Sequence, residues 1–361
     1  MSANESSGRA PAAEYEQALS AADASVAAFE VEHQSPVRRL QHLLHAYPTA
    51  VPFIVLLIGL VVFSIMVGGR FFAPFNLSLI LQQVTIIGTL GIAQTLIILT
   101  AGIDLSVGAI MILSTVVMGR LAVHSGMPVI IAFPAGLLVA AICGYINGAL
   151  VTYLKLPPFI VTLGTWSIFG ALVLFYSKSE TIRQQDIQSA ASFLQTTGNS
   201  FEIAHAPITY GSLLMLLLAA VVWYMLNRTA FGRHIYATGD DPDAARLAGI
   251  NTARTLVAVY TIAGFICSIA GWILIGRIGA VSPLAGQSSN LDSITAVVIG
   301  GTSLFGGRGS IIGTLIGALI VGVFRDGLSL YGLDNLWQEF TVGVLIIVAV
   351  TIDQWVRRIA S

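Results

Sequence analysis

Apolar residues run along this chain in blocks far longer than a water-soluble domain needs. Ten blocks stand out: Ala50–Val67, Leu77–Leu99, Leu105–Gly119, Met127–Tyr153, Phe159–Tyr176, Ile208–Leu226, Thr255–Ile275, Ser293–Phe305, Ser310–Phe324 and Asn335–Ile352. A helix needs about 17–25 predominantly apolar residues to cross the hydrocarbon core. Val51–Val67, Ile208–Leu226 and Leu256–Ile275 supply such runs with no charged residue in them. The pattern predicts an all-α polytopic membrane protein with about ten transmembrane helices. Ser293–Phe305 and Ser310–Phe324 fall short of a full span, so they are expected either as discontinuous helices or as helices that outrun their apolar blocks. Irregular backbone at membrane depth needs protein or a water-filled cavity around it, so these two Gly-broken blocks are where a pathway is sought.

The polar stretches between blocks predict three further elements. Residues 1–36, the larger part of a tail that runs to 47, are polar, acidic and rich in Ala and Ser, without the apolar core of a signal peptide. They are expected to form a tail, helical at most around Ala12–Val31. His33–His45, with Arg38 and Arg39, reads as an interfacial amphipathic helix or a solvated linker. Ser177–Pro207 is long enough to fold into a small surface element. Asn227–Arg254 is a charged island with helix punctuation. Asp241 can cap, Pro242 fits a first helical turn, Ala244–Ala248 favours helix and Gly249 can end it. On spacing alone it is either a connecting turn or a handle for another protein.

Composition agrees with the membrane reading. Of 361 residues 56% are hydrophobic and 10% charged, where a soluble domain carries about 25% charged residues. The net charge of −1 suggests no nucleic-acid partner. Cys143 and Cys267 lie in apolar blocks and read as packing residues, and no His or Cys cluster has metal spacing. Placing both termini in the cytoplasm puts eleven of the seventeen Lys and Arg residues inside, which the cationic bias of cytoplasmic loops favours. The island then lies in the cytoplasm.

A phosphate-cradling loop needs Gly-Lys-Ser/Thr, but Lys155 follows Leu154 and Lys178 follows Ser177. An ATP-driven motor would therefore be another chain, with ATP and Mg bound there and no cofactor here. Asp104 and Asp292 precede apolar runs and read either as helix caps or as residues lining a pathway. Asp326 and Glu339 are expected at span ends. Gln82, Gln83, Thr85, Gln94, Asn147, Thr162, Thr165 and Trp166 put amides, hydroxyls and one ring face into apolar blocks. They could line a path for a hydroxyl-rich solute or hold helices together. Gly102–Gly108 and Gly307–Gly313 each set two glycines six apart at the start of an apolar block, through duplication or through chance in a Gly-rich chain.

Four segments together carry a resemblance from about Pro48 to the C-terminus: Thr100–Ile110 (TAGIDLSVGAI), Gly144–Thr165, Gly232–Asn251 and Val297–Val323. The chain resembles the membrane permease of bacterial ABC sugar importers of the ribose, xylose, arabinose and fructose type. The resemblance implies a transport subunit of the inner membrane that is not an enzyme. It pairs with a second copy, is driven by a cytoplasmic ATPase with two fused nucleotide-binding domains, and receives sugar from a periplasmic binding protein. It makes 48–361 the permease domain and 228–254 its cytoplasmic coupling loop, with Asp241, Asp243, Ala244, Arg246 and Gly249 as coupling residues. Candidate pathway residues are Gln82, Gln83, Gln94, Asp104, Asn147, Thr165 and Asp292. The acidic tail, longer than is usual in the family, favours fructose, with ribose, mannose or another monosaccharide as alternatives. A secondary carrier acting alone and a membrane scaffold are the competing classes. The scarcity of intramembrane carboxylates and the capped island stand against both.

Overall fold

The computed structural model describes residues 50–203, 205–286 and 288–357. The expected tail at 1–47, with its helix near Ala12–Val31 and its amphipathic segment at His33–His45, lies outside them. Among the described residues eight helices are long and apolar enough to cross a membrane, and two shorter apolar helices accompany them. The long ones are α1 (Ala50–Val67), α2 (Pro74–Leu99), α3 (Val107–Gly119, continued by a π-turn to His124), α4 (Val129–Tyr153), α5 (Pro158–Ser177), α7 (Tyr210–Arg228), α10 (Thr252–Ile278) and α12 (Ile311–Leu330). The shorter pair is α11 (Ser289–Ile299) and the apolar part of α13 (Asn335–Arg357).

Burial sorts the helices into centre and rim. α2 is buried without interruption from Val84 to Leu99, whereas only 17% of the α1 span is buried. An apolar helix exposed on most of its surface is stable in lipid, not in water. α2 packs against α10, α12 and α11, and α10 packs against α4 and α3. α4 meets α10 through small residues four apart, Ala140, Gly144 and Gly148. A Cβ on Gly144 would overlap the Tyr260 carbonyl, and one on Gly264 would overlap that of Ala140. Such stripes let helix backbones approach where lipid provides no hydrophobic drive for association. At the rim, Phe63 of α1 meets Phe324 of α12 edge-to-face at 5.3 Å.

Two expected blocks change shape. Ser293–Phe305 is helical only as Ser289–Ile299, because α11 stops in a Schellman turn. Thr302 donates to Val297 O and Gly301 to Val298 O, with Gly301 at φ 84°. Ser310–Phe324 is a full-length helix whose apolar block was cut short by Arg325. That guanidinium is buried and neutralised by Asp292 and Glu339, so the helix continues to Leu330.

Among the described residues, the helices and hairpin outside the apolar blocks lie near the two ends of α10. With 27 residues α10 is about 40 Å long. Beyond its C-terminal end sits the surface element expected over Ser177–Pro207. It comprises α6 (Gln184–Ala191), a 3₁₀ turn and an antiparallel hairpin, β1 (Ser200–Ile203) with β2 (Ala206–Thr209). Ile182 pairs with Val281, Gln195 donates to the Gly279 carbonyl, and Phe193 stacks on Trp272 at 5.1 Å. Before its N-terminal end come α8 (Ala230–Asp240) and α9 (Pro242–Leu247).

Candidate functional site

α9 is a single capped turn and a half at the α10 N-terminal end. Asp241 Oδ1 accepts from the Asp243 and Ala244 N–H groups at 2.9 Å, and Pro242 stands in the first turn. The far end closes as a second Schellman turn, in which Ile250 donates to Ala245 O and Gly249 to Arg246 O at φ 83°. Six residues are too few for a free helix to persist, so both caps and the seating of α8 beneath it maintain the shape. Asp243 and Ala244 are solvent-exposed in the first turn. Leu247 ends the helix with 91% of its surface exposed, an apolar tip that charge-based reading of the island overlooks. Arg246 turns away from that tip. Its Nε donates to Thr252 and its Nη1 to Asp243, and it borders a cavity of about 700 Å³ shared with Lys155, Pro157 and Leu256.

α8 rests on two breaks in the membrane helices. The Schellman turn after α2 (Gly102 to Ile97 O, Ala101 to Ile98 O) resembles the one after α11, and the loop that follows the latter reaches the end of α2, where Gly307 donates to Leu99 O at 3.0 Å. These are the stretches that precede the Gly108 and Gly313 helices. Gly239 of α8 lies against them so closely that a Cβ would overlap the Leu99 carbonyl. Tyr236 of the same helix donates its hydroxyl to the Gly309 carbonyl at 3.0 Å. Burial pushes the Tyr236 phenol up, so it stays a neutral donor. Displacement of α8 therefore bears directly on both breaks.

The first break is held by a buried polar knot. Asp104 Oδ1 accepts from Ser106 N at 2.7 Å and Ser106 Oγ at 2.6 Å. Asn147 donates to Ser106 Oγ at 2.8 Å and Asp104 Oδ2 at 3.3 Å. The Gln94 amide, oriented to satisfy both its ends, donates to the Asp104 carbonyl and accepts from its N–H at 3.2 Å each. Thr162 donates to Ile103 O at 2.9 Å. Asp104 thus closes an Asx turn instead of capping α3 directly. The cap of α3 comes from another helix: Asn290 of α11 accepts from Gly108 N at 2.6 Å.

That contact borders a cavity of about 560 Å³ between α3, α5, the loop before α11 and α11 itself, with Trp166, Ser167 and Asn290 on its wall. On the other side of α11, Asp292 takes Arg325 Nη2 at 2.7 Å, and the same nitrogen reaches Glu339 at 2.9 Å. Asp292 and Arg325 are both over nine-tenths buried, so Asp292 is an ion-pair partner and not a helix cap. Glu339 shares that cluster, and Asp326 accepts from Asn76 at 2.9 Å.

Of the residues singled out from sequence, Gln94, Asp104 and Asn147 are brought together and Asp292 joins the ion cluster. Thr165 donates within its own helix, to Thr162 O, and Gln82 bonds Ser78. Gln83 is half-buried on α2. None of the seven borders the cavity, although Thr165 adjoins Trp166, which does, and Asp292 lies two residues from Asn290. Cys143 and Cys267 are buried free thiols. Asn290 and Arg325 carried no sequence signal, because one lay in a polar connection and the other at the edge of an apolar block.

Residues 76–350 match the family model described as a branched-chain amino acid transport system / permease component. The chain is similar to the Fructose import permease protein FrcC of Rhizobium meliloti, 56% identical over 351 residues, 97% of this chain and 98% of that protein. It is similar to the Ribose import permease protein RbsC of Bacillus subtilis, 39% identical over 303 residues, 84% of this chain and 92% of that one. The Xylose transport system permease protein XylH of Haemophilus influenzae is 32% identical over 345 residues, 81% and 92% respectively. No solved structure matches.

Proposed function

The chain belongs to this family of transport permeases, and on that premise we propose that it is the membrane subunit of an ATP-driven importer that carries a monosaccharide, fructose, across the bacterial inner membrane. Fructose is the sugar named in the relative that is 56% identical over nearly both whole chains. Two copies flank the pathway, a periplasmic binding protein delivers sugar, and a cytoplasmic ATPase with two fused nucleotide-binding domains supplies the work. Both termini are cytoplasmic, residues 1–47 form a cytoplasmic tail, and 228–254 is the coupling loop.

The observation that carries this reading is the seating of α9. A short helix capped at both ends, with an apolar Leu247 tip, stands on α8, and α8 touches both breaks through Gly239, Tyr236 and their backbone partners. An ATPase groove gripping α9 at Asp243, Ala244 and Leu247 would push on those breaks as the motor closes. Asp241 and Gly249 keep the helix in shape, and Arg246 ties it to α10. Rigid elements with two discrete arrangements are how such motion crosses a membrane protein. The polar knot of Gln94, Asp104 and Asn147 holds the first break in register and does not border the cavity beside α5.

Gly249→Pro tests the assignment. Proline's φ near −65° is incompatible with φ 83°, and the N–H to Arg246 O is lost. The variant is expected to insert normally and to lose uptake of radiolabelled sugar in a strain lacking the native gene. Normal uptake would sink the coupling role of α9. Competition by ribose and mannose in the same strain identifies the sugar.

A further inference from the structure

The cavity beside α5 has the chemistry of a binding site for a neutral sugar. Among the described residues its wall carries no ionisable side chain, and about 560 Å³ lies within the roughly 300–1,000 Å³ typical of small-molecule pockets. Trp166 is 44% exposed and offers an indole face and an N–H. Ser167, one residue on, adds a hydroxyl. Asn290 is 6% exposed. Its Oδ1 is committed to Gly108 N–H, while its Nδ2 donates to no group among the described residues. The amide is thereby oriented in advance with both Nδ2 hydrogens to spare.

Two contacts hold that amide in place. Gly108 leaves the space for it, since a Cβ there would overlap Asn290 Oδ1. Asp292, two residues on and so on another face of the helix, ties α11 to Arg325 at 2.7 Å. The donor is thus fixed from behind by an ion pair that does not itself border the cavity.

We infer that this cavity is a station for a neutral monosaccharide in transit, with Trp166 as the stacking face for the C–H side of the ring and Asn290 Nδ2 as the donor to a ring hydroxyl. An aromatic face and a few placed polar groups are the usual means of orienting such a ligand. One fixed donor group and no charge make the hold weak, as release to the next compartment requires. The inference rests on the monosaccharide-importer reading.

Cysteine accessibility tests it, because Cys143 and Cys267 are buried and leave an introduced thiol as the reporter. Ser167→Cys is made in the full importer, permease with ATPase and binding protein, in proteoliposomes. Its labelling by a methanethiosulfonate reagent is timed with and without millimolar fructose. Sugar at a few times its Kd is expected to slow labelling roughly threefold or more. The protection should vanish with added Trp166→Ala and persist in part with Trp166→Phe. Ser189→Cys, on the exposed surface element, should label at the same rate throughout. Gly170→Cys, on the same wall with open space around it, serves if Ser167→Cys does not assemble. Unchanged labelling at both wall positions in an importer that still takes up fructose would overturn the station and leave the importer reading standing. Failure of the unmodified importer to take up any monosaccharide would overturn that reading instead.

Discussion

Replacing Arg325 by methionine isolates what the buried ion cluster contributes. The guanidinium Nη2 holds Asp292 at 2.7 Å and Glu339 at 2.9 Å. Asp292 has only 8% of its side chain exposed. Without Arg325 its carboxylate is left buried and unpaired, a loss of about 3–5 kcal/mol when one partner of such a pair is removed. Glu339 is 43% exposed, so water screens its share, which is held to about 1 kcal/mol or less. Arg325→Met should therefore destabilise strongly and Glu339→Gln weakly. Adding Asp292→Asn to Arg325→Met removes the orphaned charge and should bring stability back to within about 1–2 kcal/mol of the parent. The assay is the thermal unfolding midpoint of the purified protein in detergent, with all variants at one scan rate because membrane proteins often unfold irreversibly. Each 1 kcal/mol shifts the midpoint by roughly 2–4 °C in a domain of 150–250 residues, and by no more in a larger one. Arg325→Met is thus expected to fall by several degrees and the double variant to recover most of that. An unchanged midpoint in Arg325→Met, or a double variant that falls by the sum of its parts, would refute the reasoning.

Two further outcomes follow from contacts elsewhere. Gly239→Val should force α8 off the Leu99 carbonyl and uncouple the motor, lowering sugar uptake by about tenfold or more per ATP hydrolysed, since displacements near 1 Å can cost up to about a hundredfold. The ratio of the two rates in proteoliposomes checks it, and a preserved ratio would show that α8 does not transmit. Asn147→Leu removes the donor to Asp104 and Ser106 and should cost about 1–3 kcal/mol through unsatisfied buried acceptors. A lowered unfolding midpoint, partly restored by adding Asp104→Asn, is the expected signature.

Much of the architecture was legible because lipid imposes a simple rule. Ten apolar blocks correspond to ten apolar helices among the described residues, and most ends agree within a few residues, as at Ala50–Val67. The island's punctuation was equally local. Asp241, Pro242 and Gly249 act within one short helix, so their roles follow from chain neighbours alone. Where the reading failed, the deciding partner was distant in sequence. Arg325 looked like the end of a span because its neutralising carboxylates, Asp292 and Glu339, lie 33 and 14 residues away. Asp104 looked like a helix cap, while the cap of α3 comes from Asn290, 182 residues from Gly108.

The sequence by itself determined that this chain lives in a membrane, how many apolar helices its described residues build, and that α9 is a capped helix between two of them. Those features depend on hydrophobic length and on hydrogen bonds between near neighbours. Only the tertiary structure decided that Gln94, Asp104 and Asn147 form one knot, that α8 bears on the breaks after both α2 and α11, and that Trp166 and Asn290 border one cavity. A polar residue inside an apolar block must find a partner in a medium that offers no water. Its sequence position announces the need, but only the packing of helices brought together from distant parts of the chain determines which partner it finds.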